Sequence, residues 1–522
     1  MSEPLLELMN VTAGYGDTDV IRKVSFSVGR GEIFAIVGES GCGKSTSLKA
    51  VMGLPSTNVS LREGSIKFGG RDMSELTREE RRQLLGEDIC VVFQNPASTM
   101  NPIRKIKKQF LETIKSHRKV DKQEALRMIR ASFEKLGLSD SERILESCPF
   151  ELSVGMCQRV CLALAMVMEP KLILADEITS ALDVVSQQQV VEELLHLRDS
   201  CDVSIVLVTH NMAVVARLAD RMAIMLDGRI IECGETGQVI AHPAQQYTKK
   251  LIADIPRISD EKEPAESFSG VLLEARGVSR SYSGKGGKVL AVDNISFNLH
   301  KGEVLGIVGE SGNGKSALAR QLMRLETPDR GDIFLDEFAL SSLRGKQLRE
   351  LYRITQMVFQ TPQSSFDPRK RIRTSIKDTL KNLTELNADE ISPRIDELMR
   401  LVGLEPAFAD RYPHQLSGGQ CQRAAIARAI AASPKLLVCD EATSALDVTV
   451  QAGIVELLSS LVTNRGMSMI FISHDIALVS QICHRILVIK GGRCVEYGNT
   501  TEIISAPKSE YTKRLLDAAG HF

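Results

Sequence analysis

Residues Gly31–Thr46 read GEIFAIVGESGCGKST, and residues Gly302–Ala317 read GEVLGIVGESGNGKSA. Each passes from an apolar, strand-like run (Ile33–Val37 in the first) through GxxxxGK[ST] into a helical pattern, the context a phosphate-binding loop requires. Gly38, Gly41 and Gly43, and their counterparts Gly309, Gly312 and Gly314, let the backbone curl so that successive N–H groups face an anion. The helix that follows adds the positive end of its dipole. Lys44 and Lys315 are placed to reach the β- and γ-phosphates of a nucleotide, and Ser45 and Ser316 to ligand Mg²⁺. Ser40 and Thr46, with Ser311 and Ala317, complete the two candidate ATP-binding loops. One such match arises by chance now and then; two at equivalent places do not.

Working outward, the rest of the chain also repeats. VVFQNPASTMNP returns as MVFQTPQSSFDP and LILADEITSALDV as LLVCDEATSALDV, at a nearly constant offset of 264–271 residues. A chain of 522 residues exceeds the ~250–300 at which one core stops growing, so two domains fused head to tail are expected. The reading places the first at 1–254, a short flexible linker at 255–270 (IPRISDEKEPAESFSG), and the second at 271–522. Strand-like runs (Leu172–Ala175, Ser204–Thr209) alternate with helical patterns (Glu124–Leu136, Gln187–Leu197), which argues an α/β fold on a mostly parallel sheet.

Composition narrows the function. Lys+Arg 65 against Asp+Glu 66 leaves a net charge of −1, so no global electrostatic case for nucleic acid exists. The longest apolar stretches, such as Val160–Met168, are half a bilayer span, and the N-terminus lacks a signal-peptide pattern. Eleven scattered cysteines with no CxxC pair read as reduced cytosolic thiols.

Two further constellations carry chemistry. Apolar strands end in paired carboxylates, Asp176-Glu177 and Asp440-Glu441, and strand ends of an open α/β sheet point into the ligand crevice. Phosphoryl transfer to water needs one acid on Mg²⁺, the role suited to Asp176 and Asp440. It also needs a base or water-orienting group, suited to Glu177 and Glu441. His210 and His474 end other strand-like runs (VLVTH, IFISH), where a structural histidine and a γ-phosphate contact are the two readings.

These residues, with LSVGMCQR at Leu152–Arg159 and LSGGQCQR at Leu416–Arg423, resemble the ATP-binding cassette (ABC) family over essentially the whole chain. The resemblance implies two tandem P-loop NTPase domains. Each would have a RecA-like parallel-sheet core, an antiparallel β subdomain and a helical subdomain, the last between Gln94 and Ser153 or between Gln360 and Ser417. It implies Gln94 and Gln360 as ligands of Mg²⁺ and attacking water, and SALD at Ser180–Asp183 and Ser444–Asp447 as the D-loops. Tyr15 and Tyr282 lie where the family stacks an aromatic ring on adenine. Ser153 and Gly155 of one signature, and Ser417, Gly418, Gly419 and Gln420 of the other, would contact nucleotide held by the opposite phosphate loop.

Finer features, RYPHQLSGGQ at Arg411 and the tails HPAQQYTKKL and APKSEYTKRL, look like ATPases of peptide/nickel-type importers. That implies two separate membrane permeases, an extracytoplasmic solute-binding protein and a peripheral place on the cytoplasmic face of the inner membrane. Peptides, metal chelates and opine-like solutes all stay open as cargo. No cysteine lies between Cys233 and Cys421 or after Cys494, so no iron–sulfur cluster is predicted. A rival reading is a soluble tandem cassette acting on ribosomes or nucleic acid through the basic runs Arg104–Lys108 and Arg369–Arg373; a tandem sugar-importer ATPase is another.

One departure from the family pattern predicts unequal sites. The first signature carries Val154 where the second has Gly418. A β-branched residue forced to positive φ would be strained by roughly 1–2 kcal/mol; with negative φ it would merely point away. In the implied head-to-tail pairing the altered signature serves the Lys315/Glu441 site, which is expected to be the weaker.

Overall fold

The computed structural model describes every residue except 1–2, 55–56, 95–98, 139, 181, 260–267, 269, 285–286, 337, 445 and 521–522. The chain divides into two compact units, residues 1–182 with 186–255 and residues 256–522 with Asp183–Val185. Ala181 and Ala445 of the two SALD stretches, and most of the linker, lie outside the described residues.

In the first unit a six-stranded sheet runs Arg229–Glu235, Arg221–Leu226, Ile33–Val37, Ser204–Thr209, Leu172–Asp176, Ile89–Val92, parallel except for the first pair. Ile33–Val37 and Ser204–Thr209 are buried along their whole length, as strands covered on both faces must be, so they read as unbroken apolar runs. Register decides where the chemistry falls. Val37 pairs with Thr209, and Asp176 with Val208, so the phosphate loop, the carboxylate pair and His210 all leave the sheet at the C-terminal ends of its parallel strands.

A separate four-stranded antiparallel sheet orders Thr18–Val28, Leu6–Tyr15, Val59–Phe68, Arg71–Asp72. Its alternating buried residues Leu6 and Leu8 join Phe26, Phe34 and Ile36 in one core cluster. The helices Ile106–His117 and Lys122–Lys135 form the helical subdomain. Ile106, Phe110 and Ile114 recur at helical spacing on its buried face, and Phe110 meets Phe133 edge to face at 5.5 Å.

The second unit repeats this plan. Its large sheet orders Thr355–Val358, Leu436–Asp440, Ser468–Ser473, Val304–Val308, Arg485–Lys490, Arg493–Asn499. Its small sheet orders Gly287–His300, Val271–Gly284, Arg330–Leu335, Phe338–Ala339, and its helical subdomain contains Ile372–Leu383 and Ala388–Leu401.

The stretch read as a flexible linker begins differently. Gln481 Nε2 donates to the Arg257 carbonyl (3.0 Å), and the Ser259 N–H donates to Ser480 Oγ (2.9 Å). Its described start is thus fastened along the helix Ile476–Ile482 of the second unit. No helix among the described residues is long and apolar enough to cross a membrane.

Candidate active site

Each phosphate loop turns into its helix through a glycine with left-handed backbone, Gly43 (φ 107°) before Lys44–Met52 and Gly314 (φ 91°) before Lys315–Leu322. A Cβ at Gly314 would sit 1.9 Å from the Ala291 carbonyl oxygen, so no other residue fits there. Lys44, 4 % exposed, folds back to donate to the carbonyls of Gly38 (2.7 Å) and Glu39 (2.8 Å). Lys315 does the same with Gly309 (2.7 Å) and Glu310 (3.0 Å). The loop itself therefore aims the ammonium along the path a phosphate chain would take.

The carboxylate pairs close on these loops. Ser45 Oγ donates to Asp176 Oδ1 at 2.7 Å, and Ser316 Oγ to Asp440 Oδ1 at 3.1 Å. Burial pushes both aspartates above the ordinary carboxylate range, the serine hydrogen bonds only partly offsetting it. Glu177 Oε1 stands 4.0 Å from Lys44 Nζ and 3.5 Å from His210 Nδ1, while Oε2 accepts from Gln94 Nε2 at 2.8 Å. Glu441 has the same neighbours at 3.3 Å (Lys315), 3.9 Å (His474) and 2.7 Å (Gln360). For both glutamates burial acts to raise the pKa, but the histidine and lysine outweigh it and hold them below the usual range. The histidine contacts are ion-pair distances whose geometry falls short of a hydrogen bond, leaving both buried Nδ1 atoms unsatisfied.

Three features were not foreseen from the sequence. Glu177 and Glu441 both hold left-handed backbone (φ 49° and 47°), and their N–H groups donate to Val208 and Ile472 across the sheet. Ser180, already placed in a D-loop, accepts from Gln94 Nε2 at 3.3 Å and donates to the Glu177 carbonyl at 2.9 Å. Asn211 and Asp475 follow the histidines and cap the next helix, each side chain accepting two backbone N–H groups.

Tyr15 and Tyr282 diverge. Tyr15 ends its strand 36 % exposed, its hydroxyl accepting from Lys49 of the phosphate-loop helix at 3.2 Å. Tyr282 donates its hydroxyl to Glu326, and the Arg280 guanidinium lies over its ring at 5.3 Å.

Ser153 and Ser417 stand apart from these clusters, as the N-caps of the helices Val154–Met166 and Gly418–Ile430. Gln420 completes a capping box with Ser417, which Met156 in the first unit cannot. The strain expected of Val154 is absent: it opens its helix without positive φ, and its side chain is 52 % exposed. A Cβ added at Gly418 would meet only Leu446, at 3.8 Å. The glycine this fold needs is the next one, Gly419, where a Cβ would stand 2.5 Å from Val450 Cγ1.

The basic runs are largely paired within their own units. Arg104 bonds Glu112, and Lys105 and Lys107 share Glu146 (2.7 and 3.1 Å). Arg373 is divided between Asp396 (3.0 Å) and Asp410 (2.9 Å). The nucleic-acid alternative gains nothing from such local neutrality.

The ABC transporter family matches residues 21–180 and again 292–444, and the C-terminal region of oligopeptide/dipeptide transporters matches 231–280. The chain is 36% identical to the glutathione import ATP-binding protein GsiA of Pectobacterium atrosepticum, over 96% of this chain and 86% of that protein. It is also 36% identical to the Escherichia coli ABC transporter ATP-binding protein YejF, covering 99% of both chains. The peptidoglycan transport ATP-binding protein YejF of Agrobacterium fabrum is 36% identical over 99% of this chain and 97% of its own. The chain belongs to the ABC transporter family. Within it, this is an ATP-binding and hydrolysing subunit of the peptide-importer type.

Proposed function

We propose that the chain supplies both ATPase cassettes, 1–254 and 271–522 joined through 255–270, of an importer whose permeases and solute-binding protein are separate polypeptides. It would work at the cytoplasmic face of the inner membrane, held there by the permeases. The cargo would be peptides or peptide-derived solutes, the class to which its relatives' names point.

The observation that carries this reading is a cluster built twice: a loop-folded lysine, a Ser–Asp pair, and a glutamate shared by Lys, Gln and His. Lys44 and Lys315 would bind the phosphates. Glu177 and Glu441, held ionised by their neighbours, would accept a proton from attacking water that Gln94 and Gln360 orient. His210 and His474 would contact the γ-phosphate, Tyr15 and Tyr282 the adenine, and the Ser153 and Ser417 signatures would complete nucleotide binding.

The Ser45–Asp176 and Ser316–Asp440 pairs fit Mg²⁺: each offers two hard oxygen ligands, one of them a buried carboxylate. When bound, the ion would neutralise phosphate charge. Gln94 and Gln360 are its further candidate ligands.

Titration with a fluorescent ATP analogue tests the assignment. Lys44→Ala and Lys315→Ala should each weaken binding at one of two sites, and unchanged stoichiometry and affinity in both variants would defeat it.

A further inference from the structure

The helix that carries the importer-type YT pair is wired to the phosphate loop in both units. In the first, Glu232 on the strand Arg229–Glu235 accepts the N–H groups of Ala244 (2.8 Å) and Gln245 (3.1 Å) and the Thr248 hydroxyl (2.6 Å). This fixes the start of the helix Gln246–Ala253, and Tyr247 projects from its first turn. Tyr247 Oη accepts the backbone N–H of Glu39, inside the phosphate loop, at 3.2 Å. In the second, Glu496 accepts the N–H groups of Lys508 (2.8 Å) and Ser509 (3.0 Å) ahead of the helix Glu510–Ala519. Tyr511 Oη then accepts the Glu310 N–H at 3.0 Å.

The residue gripped is the informative part. Glu39 and Glu310, with Gly38 and Gly309 beside them, are the residues whose carbonyls receive Lys44 and Lys315. One loop residue is thus held from both sides, its N–H by the tyrosine and its C=O by the lysine that faces phosphate. A purely structural anchor for a surface helix has no need to end on that residue.

We infer that Tyr247 and Tyr511 are positioning residues of the two nucleotide sites, each setting the phosphate loop of its own unit through the backbone of Glu39 or Glu310. The inference rests on the nucleotide-binding reading above. It also gives residues 231–280, matched to the oligopeptide/dipeptide transporter region, a direct line to nucleotide affinity.

The second latch includes a side-chain amide. Asn313 Nδ2 donates to Tyr511 Oη (3.0 Å) and to the Ile489 carbonyl (3.3 Å), while its Oδ1 accepts the Gly491 N–H (3.0 Å). Tyr511 is 4 % exposed, and burial pushes its phenol up to about 12, so it stays neutral at working pH. In the first unit Cys42 stands in place of Asn313, and Tyr247 is half-buried.

The test uses the full chain with Tyr247→Phe and Tyr511→Phe, which remove one oxygen and keep the ring. Titrating a fluorescent ATP analogue with Mg²⁺, Tyr511→Phe and Tyr247→Phe should each lose about two- to ten-fold in affinity at one of two sites. In steady state the KM for ATP should rise while kcat stays within about two-fold, because the loop contacts ground and transition states alike. Each variant should melt within about 5 °C of the wild type, the shift that one lost hydrogen bond causes. Unchanged affinity in both variants, with two nucleotides bound by the wild type, overturns the positioning role. Lowered melting temperature and kcat at constant KM overturns it too, leaving only a helix anchor. A wild-type chain that binds no nucleotide removes the underlying reading and the inference together.

Discussion

The two clusters contain the same residue types, yet their central glutamates lean in different directions. Glu177 lies nearer His210 (3.5 Å) than Lys44 (4.0 Å); Glu441 lies nearer Lys315 (3.3 Å) than His474 (3.9 Å). A carboxylate drawn to a buried ammonium is the weaker base and keeps that lysine from phosphate. Identical motifs thus hold their glutamates at different distances from the same two partners, lysine and histidine. The signature helices differ as well, with exposed Val154 and an open capping box in the first unit against Gly418 and a closed box in the second.

The largest expected effect strikes at the glutamates. With permeases present, Glu177→Gln should cut steady-state ATP hydrolysis by about ten-fold or more, and Glu441→Gln by only about two-fold. Equal losses would erase the distinction, and a larger loss from Glu441→Gln would reverse it. In the same assay Val154→Gly, which gives the first signature the residue of the second, should raise turnover. Since Val154 is unstrained, only its bulk on an exposed face remains to act there.

A smaller contrast concerns folding. Gly419→Ala pushes a methyl to 2.5 Å from Val450 and should destabilise the second unit by about 1–3 kcal/mol. Gly155→Ala meets Ser186 Oγ at an ordinary 3.5 Å and should be nearly neutral in the first. Denaturant melts of the two variants decide it, and equal shifts would contradict the packing difference.

The smallest effect is a pH dependence confined to one unit. Burial raises the Glu193 carboxyl to about 7, its ion pair with Arg159 offsetting only part of the cost; Leu457 stands at the equivalent place in the second unit. A raised carboxyl pKa favours the folded state fully below the unfolded value, and that contribution is lost as pH rises through about 7. The first unit should therefore lose stability between about pH 5 and 8, and Glu193→Gln should flatten that slope. A slope unchanged by the substitution would assign the dependence elsewhere.

Much of this was legible because it is local. A phosphate loop, a DE pair at a strand end and a signature before a helix are contiguous words, and their repetition removed chance. What escaped notice depends on distant partners. Tyr247 meets Glu39 from 208 residues away, and the YT pair read from sequence only as a subfamily mark. Arg257 and Ser259 sit in a polar, Pro-containing stretch that composition calls free, yet they bond a helix more than 220 residues on. Val154 misled for the opposite reason: a glycine in a motif suggested special backbone, whereas its counterpart Gly418 takes ordinary helical conformation and Gly419 bears the close contact.

The left-handed backbone of Glu177 and Glu441 has a consequence for how this chain changes under selection. An L-residue there costs on the order of 1 kcal/mol that glycine would relieve. Folding pressure and turnover therefore pull these two codons apart. A library sorted for thermal tolerance alone should drift toward glycine or asparagine at both positions, yielding sturdier and idle proteins, whereas sorting for growth on imported solute should hold glutamate in place.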